Sequence, residues 1–183
     1  MRRFLRGTAF VSFMAGLATV CCPAAAHASQ NGHPLQAYLG VFSPSSSSTR
    51  TFANTEFLIG GSYDLNHPKS ANTPFLAGYI GYAGGSNGGN SQGNFWIGAQ
   101  LRTQGQIYVG AGTGYYDSWG TLNLGGGVTL NSTQGGLGGT VFVGGDFGPA
   151  GQPGPGLRAG YDFMPSFSGN NPSGWELSVT YRL

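Results

Sequence analysis

Hydrophobic and polar residues alternate strictly along GWELSVTYRL, the segment from Gly174 to Leu183. Alternate side chains of a β-strand point to opposite faces. One face of this segment is therefore wholly apolar, from Trp175 onward, and the other carries Glu176, Ser178, Thr180 and Arg182. Such a strand fits a soluble sheet with one wet face, or a strand that separates lipid from a polar lumen.

Eight further segments alternate in the same way, so nine strands are predicted. The nine segments are 36–43, 55–65, 74–83, 93–102, 106–116, 120–130, 138–147, 156–164 and 174–183. Stretches rich in Gly, Ser, Asn and Pro separate them, as expected of turns, and DSW around Asp117 is interpreted as one such connection. Most segments approach the ~9–11 residues of a tilted transmembrane strand and exceed the ~5–6 usual in soluble sheets.

The pattern predicts an all-β protein, an antiparallel up-and-down transmembrane β-barrel of about eight strands. Bacterial single-chain barrels have even strand numbers, so either 36–43 lies outside the barrel or a tenth strand is hidden. We divide the chain into a cleaved signal peptide (1–28), an N-terminal segment with the candidate extra strand (29–54) and the barrel (55–183).

Charged residues share one face of the predicted strands. The apolar face includes Ile97 and Val143, and in segment 120–130 it consists of Leu122, Leu124, Val128 and Leu130. Because a basic residue facing lipid at mid-depth costs ~2–4 kcal/mol, we expect the charged face to line the lumen. The predicted lumen charge network is Glu56, Asp64, Arg102, Asp146, Arg158, Asp162, Glu176 and Arg182.

Aromatic residues recur near the ends of the apolar face, as in the aromatic belts of membrane barrels. The predicted interfacial aromatics are Tyr63, Tyr115, Phe147, Tyr161, Phe163, Trp175 and Tyr181. Charged residues make up 8% of the chain, against the ~25% of soluble domains. An outer surface that mostly faces lipid accounts for this scarcity. The chain is also glycine-rich, with 35 glycines, which disfavours helices.

The first 28 residues have the layout of a secretory signal peptide: a basic head (MRRFLR), a short apolar stretch and a small-residue cleavage site at Ala26–Ala28. Cys21 and Cys22, the two cysteines of the chain, lie within it. Its removal leaves five basic and six acidic residues, a net charge of 5 − 6 = −1. A basic surface for nucleic acid is therefore not expected.

The chain resembles the small outer-membrane β-barrel proteins of double-membrane bacteria, the OmpA-like and OmpX-like barrels. The resemblance rests on the leader ending at Ala28, on alternating strands such as FLIGGSYDL and LRAGYDFMP, and on WELSVTYRL. Such proteins usually end in an aromatic residue, whereas here Leu183 is last and Tyr181 lies two residues earlier. The resemblance implies a porin-like monomer in the outer membrane, surrounded by lipid and recognised by the barrel-assembly machinery through its C-terminal strand.

No residue pattern predicts catalysis. His33 and His67 lie in turn-like segments, and no His/Cys cluster has the spacing of a metal site. We predict a non-enzymatic protein, without cofactor or metal, that has a structural or surface-interaction role. Two alternatives stay open. The chain could form a narrow pore lined by Arg102, Arg158 and Arg182, or a soluble exported barrel whose apolar face turns inward around an apolar ligand.

Overall fold

The chain forms a closed barrel of eight antiparallel strands, in which each strand pairs with its neighbour in sequence and β8 pairs with β1. The computed structural model describes residues 34–68, 70, 72–148, 152–166 and 169–183; the predicted signal peptide lies outside them. The elements are β1 Leu35–Pro44, α1 Ser47–Arg50, β2 Glu56–Asp64, β3 Phe75–Asn87, β4 Asn90–Arg102, β5 Ile107–Gly125, β6 Val128–Asp146, β7 Gly154–Phe163 and β8 Gly174–Arg182. The predicted all-β, antiparallel up-and-down barrel of eight strands is confirmed.

The prediction of nine segments is wrong, and so are both explanations offered for the odd number. Segment 36–43 is strand β1 of the barrel, and segments 106–116, 120–130 and 138–147 belong to two strands of 19 residues each. The predicted turn at Asp117 lies within β5, where Asp117 pairs with Gly135. The hairpin instead turns at Gly125, Gly126 and Gly127, whose positive φ angles of 81°, 59° and 81° favour glycine.

The barrel has two unlike ends. At the terminal end, the N–H of Leu183 donates to the carbonyl of Leu35 at 2.8 Å, so the first and last strands meet there. At the opposite, distal end, β5 and β6 extend beyond β7, since the last β6–β7 pair is Gly139 with Phe163. We call residues 117–136 of this pair the distal hairpin. The connection 45–55, with α1, and residues 164–166 and 169–173 after β7 also lie at the distal end.

Glycines and aromatic rings interleave inside the barrel. A Cβ atom on Gly60, Gly81 or Gly144 would collide with the ring of Tyr38, Trp96 or Tyr108, respectively. Each of these rings therefore lies over a cross-strand glycine, a pairing that fills a narrow lumen and explains much of the glycine content. The inward rings and aliphatic groups form a buried cluster of Tyr38, Phe42, Leu58, Tyr79, Ala83, Trp96, Tyr116 and Met164.

The β1–β2 connection is tied to its distal neighbours. The Thr49 hydroxyl donates to the carbonyl of Asn171 at 2.7 Å, and the Asn90 amide donates to the carbonyl of Thr51 at 3.0 Å. Phe52 and Ala53 of this connection are buried. Within the described residues, no helix is long and apolar enough to cross a membrane.

Candidate functional site

All eight predicted lumen charges lie on inward positions of their strands. Seven of them are buried, with at most 5% of the residue exposed, and Asp146 is half-buried. They do not form a single network. The structure divides them into a terminal group (Asp64, Arg102, Asp146, Arg182), a middle group (Arg158, Asp162, Glu176) and a lone distal acid (Glu56).

The terminal group joins strands that are not neighbours in the sheet. Arg102 Nη2 lies 2.7 Å from Asp64 Oδ2, which joins β4 to β2. Arg182 of β8 lies 3.4 Å from Asp64 Oδ2 and 3.2 Å from Asp146 Oδ2, and so links β2 to β6. Two acids face two bases, so the group balances its charge, as buried ions require.

A hydrogen bond crosses the lumen at this level. Gln36 Nε2 donates to the Tyr108 hydroxyl at 3.1 Å, and in an eight-stranded barrel their strands, β1 and β5, stand opposite each other. The Arg102 guanidinium packs over Phe75 at 4.4 Å and faces Tyr108 at 5.5 Å. Side chains thus fill the cross-section of the terminal end.

The middle group is built on a short ion pair. Arg158 Nε lies 2.6 Å from Glu176 Oε1, and both side chains are almost fully buried. The guanidinium also lies over the Phe142 ring at 4.0 Å and near the Tyr38 ring at 5.2 Å. Asp162 is buried on the same face of β7 as Arg158, so this group holds two acids and one base.

Glu56 stands apart near the distal end. Its two carboxylate oxygens accept hydrogen bonds from the amides of Gln92 at 2.9 Å and Asn94 at 2.7 Å. Neither amide was singled out from the sequence. Both amides lie at inward positions of β4, whereas the apolar Ile97 of the same strand points outward. This alternation is the sequence signal that could have identified them.

The seven predicted interfacial aromatics all lie on outward positions. Those toward the terminal end are Tyr63, Phe147 and Tyr181, and those toward the distal end are Tyr115, Tyr161, Phe163 and Trp175. The Tyr161 ring lies 5.0 Å from that of Trp175 and 4.9 Å from that of Phe163, each edge to face. The prediction missed Tyr82 and Trp119, whose rings are 6.0 Å apart on the outer face. Trp119 lies over Gly93, a pairing between strands that a single segment does not reveal.

Polarity is inverted in the distal hairpin. Its outward positions carry Trp119 and, otherwise, the polar residues Asp117, Thr121, Asn123, Asn131 and Thr133. The positions that continue the lumen-facing side of β5 and β6 into the tip carry Leu122, Leu124, Val128 and Leu130. The predicted outward face of segment 120–130 is therefore wrong, because the segment spans a turn and its apolar residues continue the inward face of β5 and β6.

Chemical groups for catalysis are not assembled in the described part of the chain. His67 lies in the β2–β3 connection, and among the described residues no three His, Cys, Asp or Glu side chains could hold a metal ion. His33 lies outside the described residues. The absence of enzymatic activity stays a prediction.

A comparison with solved structures supports the fold. The chain is similar to the crystal structure of Neisserial surface protein A, with a TM-score of 0.51 and 19% sequence identity. The match covers 81% of this chain and 94% of that one. No protein-family model matches, and no curated protein matches. The fold class is thus that of a small eight-stranded barrel, as the resemblance to OmpA-like and OmpX-like barrels implied.

Proposed function

We propose that this chain is a small outer-membrane β-barrel with a closed lumen, which has a structural or surface-interaction role and presents the distal hairpin outside the cell. It is exported by its leader and is assembled, as a monomer, through the C-terminal strand. The solved barrel to which it is similar is a surface protein by its title. The proposal extends that location to this chain.

The outer face of the barrel carries the proposal. Large apolar side chains are exposed around the wall, among them Ile59, Ile80, Ile97, Val143 and Val179, each 47–57% exposed. Within the described strands, Asp117 is the one charged residue on an outward position, and it lies in the distal hairpin. Contact of such an apolar outer surface with the hydrocarbon of a membrane is favourable, whereas its exposure to water is unfavourable.

Fractionation tests the membrane location. Membranes of expressing cells are washed with carbonate, and the protein is run on a gel with and without boiling. We expect it to stay with the membrane and to migrate differently when unboiled, because a closed barrel resists detergent. A protein that washes off and shows a single mobility would contradict the proposal.

The contacts in the lumen favour a closed barrel over a pore. The Gln36–Tyr108 hydrogen bond and the Arg182–Asp64 and Arg182–Asp146 pairs cross the interior, and eight strands leave a space that side chains fill. In planar bilayers we expect no ion conductance from the purified barrel. Stepwise single-channel currents would instead support the pore.

The outward direction of the apolar face disfavours the soluble alternative. A soluble ligand-binding barrel needs apolar residues such as Ile97 and Val143 inside, and both are about half exposed on the outer wall. Inside, the positions next to them hold Trp96 and Phe142, packed with polar groups.

The edge of β6 that lies beyond the end of β7 supports the interaction role. The N–H of Asp146 points to the β5 side and that of Phe147 to the β7 side, so odd-numbered residues of β6 face β7. Among the described residues no strand pairs with this edge from Val128 to Gly138. An exposed edge without charge or proline can accept an extended polypeptide strand.

A proline substitution tests this edge. Thr133→Pro removes an N–H that faces the open side and keeps the pairing of β6 with β5. Extended peptides selected from a random library on the unaltered barrel are expected to bind this variant more weakly. Peptides that bind both forms equally would contradict strand addition at β6.

A further inference from the structure

The carboxylate of Asp117, on the outward side of β5, is directed toward β6. The Thr133 hydroxyl donates to Asp117 Oδ1 at 3.4 Å, although Asp117 itself pairs with Gly135 across the two strands. This hydrogen bond therefore runs diagonally from β6 to β5. Asp117 is partly exposed, and among the described residues no Lys, Arg or His side chain forms an ion pair with it.

Aromatic residues are the nearest outward neighbours of Asp117 on β4 and β5. Phe95 is its pairing partner on β4, and Tyr115 and Trp119 lie two residues before and after it on β5. The Tyr115 ring reaches over Gly135, since a Cβ atom there would collide with the Tyr115 hydroxyl. Because the faces of aromatic rings attract cations, an acid with these neighbours favours a cationic group as its ligand.

The edge of β6 beyond the end of β7 lies on the remaining side of Asp117. Gly135 stands between the acid and this edge, and it has no side chain to separate the acid from a strand on the far side. In an added strand, the residue that pairs with Gly135 points outward, as Asp117 does. Its Cα atom would be two strand spacings, roughly 10 Å, from that of Asp117. The long stems of Lys and Arg bring a positive charge toward the acid over such a distance.

We propose that the polypeptide strand added at β6 carries a Lys or Arg at the position that pairs with Gly135. The Asp117 carboxylate binds its cation, and the Tyr115 ring lies beside its stem. Backbone hydrogen bonds at a sheet edge give affinity, whereas side-chain contacts give specificity. Asp117 thus selects basic strands among those that fit the edge. The inference rests on the proposed strand addition at β6 and adds the charge of the partner.

Selection from a displayed library on the full barrel tests the inference. The library holds ten-residue peptides in which Val, a residue favoured in strands, alternates with a randomised residue. Among binders to the unaltered barrel we expect Lys and Arg to be enriched at one randomised position. Asp117→Asn keeps the shape of the side chain and removes its charge, so the enrichment should disappear. Asp117→Lys should enrich Asp and Glu instead.

The affinity of single peptides measures the size of the effect. An enriched peptide is compared with the same peptide in which Gln replaces the basic residue. The basic form is expected to bind the unaltered barrel roughly tenfold more tightly, as one partly exposed ion pair together with a cation beside an aromatic ring would give. On Asp117→Asn the ratio should fall to about threefold, since the aromatic contact alone remains.

Two results would overturn the inference. Binders without a preference for basic residues, or with the same preference on Asp117→Asn, would show that Asp117 does not select the partner. The Thr133→Pro variant identifies which proposal fails. If it binds the selected peptides more weakly, strand addition stands, and either result overturns the charge selection alone. If it binds them equally well, or if selection yields no binder, strand addition fails together with the inference.

Discussion

The lower and upper parts of the β5–β6 hairpin have the same alternation and opposite polarity. In the lower part, Val109, Val141 and Val143 point outward, and Tyr108 and Phe142 point into the lumen. In the distal hairpin the outward side is polar apart from Trp119, and at the tip the inward parity is apolar at Leu122, Leu124, Val128 and Leu130. The strands and their register continue unbroken from Ile107 to Asn123.

The difference shows that alternation defines a strand but does not say which face meets which solvent. The outward face changes from apolar to polar near Asp117, beyond Tyr115 and Leu137. We interpret this change as the boundary between hydrocarbon and water. Below it, charge must be enclosed and paired. Above it, the outward polar side chains are solvated, and the apolar ones are exposed and available for contact.

The largest effect is expected from breaking the middle ion pair. Arg158→Ala leaves two buried acids, Glu176 and Asp162, without their base, and removing one partner of a buried ion pair typically costs ~3–5 kcal/mol. Urea unfolding of the barrel in vesicles measures the loss. Asp117→Ala in the distal hairpin, where the carboxylate is partly exposed, should change stability by no more than ~0.5 kcal/mol. Similar losses in both variants would contradict the distinction between enclosed and solvated charge.

A charge on the outer wall should have the next largest effect. Val143→Arg places a guanidinium in the proposed hydrocarbon zone at a cost of ~2–4 kcal/mol, and we expect a reduced fraction of heat-modifiable protein in the membrane. Thr133→Arg makes the same addition on the outward face of the same strand, ten residues away above the boundary. If the two variants assemble equally well, Val143 does not face lipid.

Adjacent glycines of β6 give a smaller contrast. Gly144 points inward under the Tyr108 ring, and a Cβ there would collide with it, whereas Gly145 has its nearest neighbour at 3.7 Å. Gly144→Ala should lower the unfolding free energy by ~1–3 kcal/mol through overpacking. Gly145→Ala should be neutral or slightly stabilising, since it restricts the unfolded chain. Equal urea midpoints would mean that the ring does not rest on Gly144.

The smallest effect on the barrel is expected from shortening the distal hairpin. Residues 123–129 are replaced by Asn-Gly, so that Leu122 and Leu130, which already pair, flank a two-residue turn. The removed tip is largely exposed, so heat modifiability and the urea midpoint should stay close to those of the full chain. A barrel that fails to assemble would show that the tip contributes to folding.

Local patterns predicted the faces of the strands well and their limits poorly. Whether Asp64 or Arg182 points inward or outward can be determined from the few residues around it, because side-chain direction along a strand has a period of two. The turn at Gly125–Gly127 was missed because LGGGV continues an alternating segment, and because Asp117 and Ser118 resemble turn residues although they pair with Gly135 and Gln134. Backbone pairing between distant segments decides such cases.

The partners of the lumen charges could not be predicted from the sequence, because they too lie on segments that are distant along the chain. Arg182 and Asp64 are 118 positions apart and lie on strands that do not pair. Their contact depends on barrel closure and on the tilt of the strands. The amides that bind Glu56, and the glycines beneath Trp96 and Tyr108, depend on register in the same way.

The membrane boundary on the β5–β6 hairpin is the central claim, and cysteine labelling in intact cells tests it most directly. No cysteine follows Cys22 in the sequence, so single cysteines can be placed at outward positions 131, 133, 141 and 143 of β6. A membrane-impermeant maleimide is predicted to label positions 131 and 133 and to leave 141 and 143 unmodified. Equal labelling at all four positions would contradict the account.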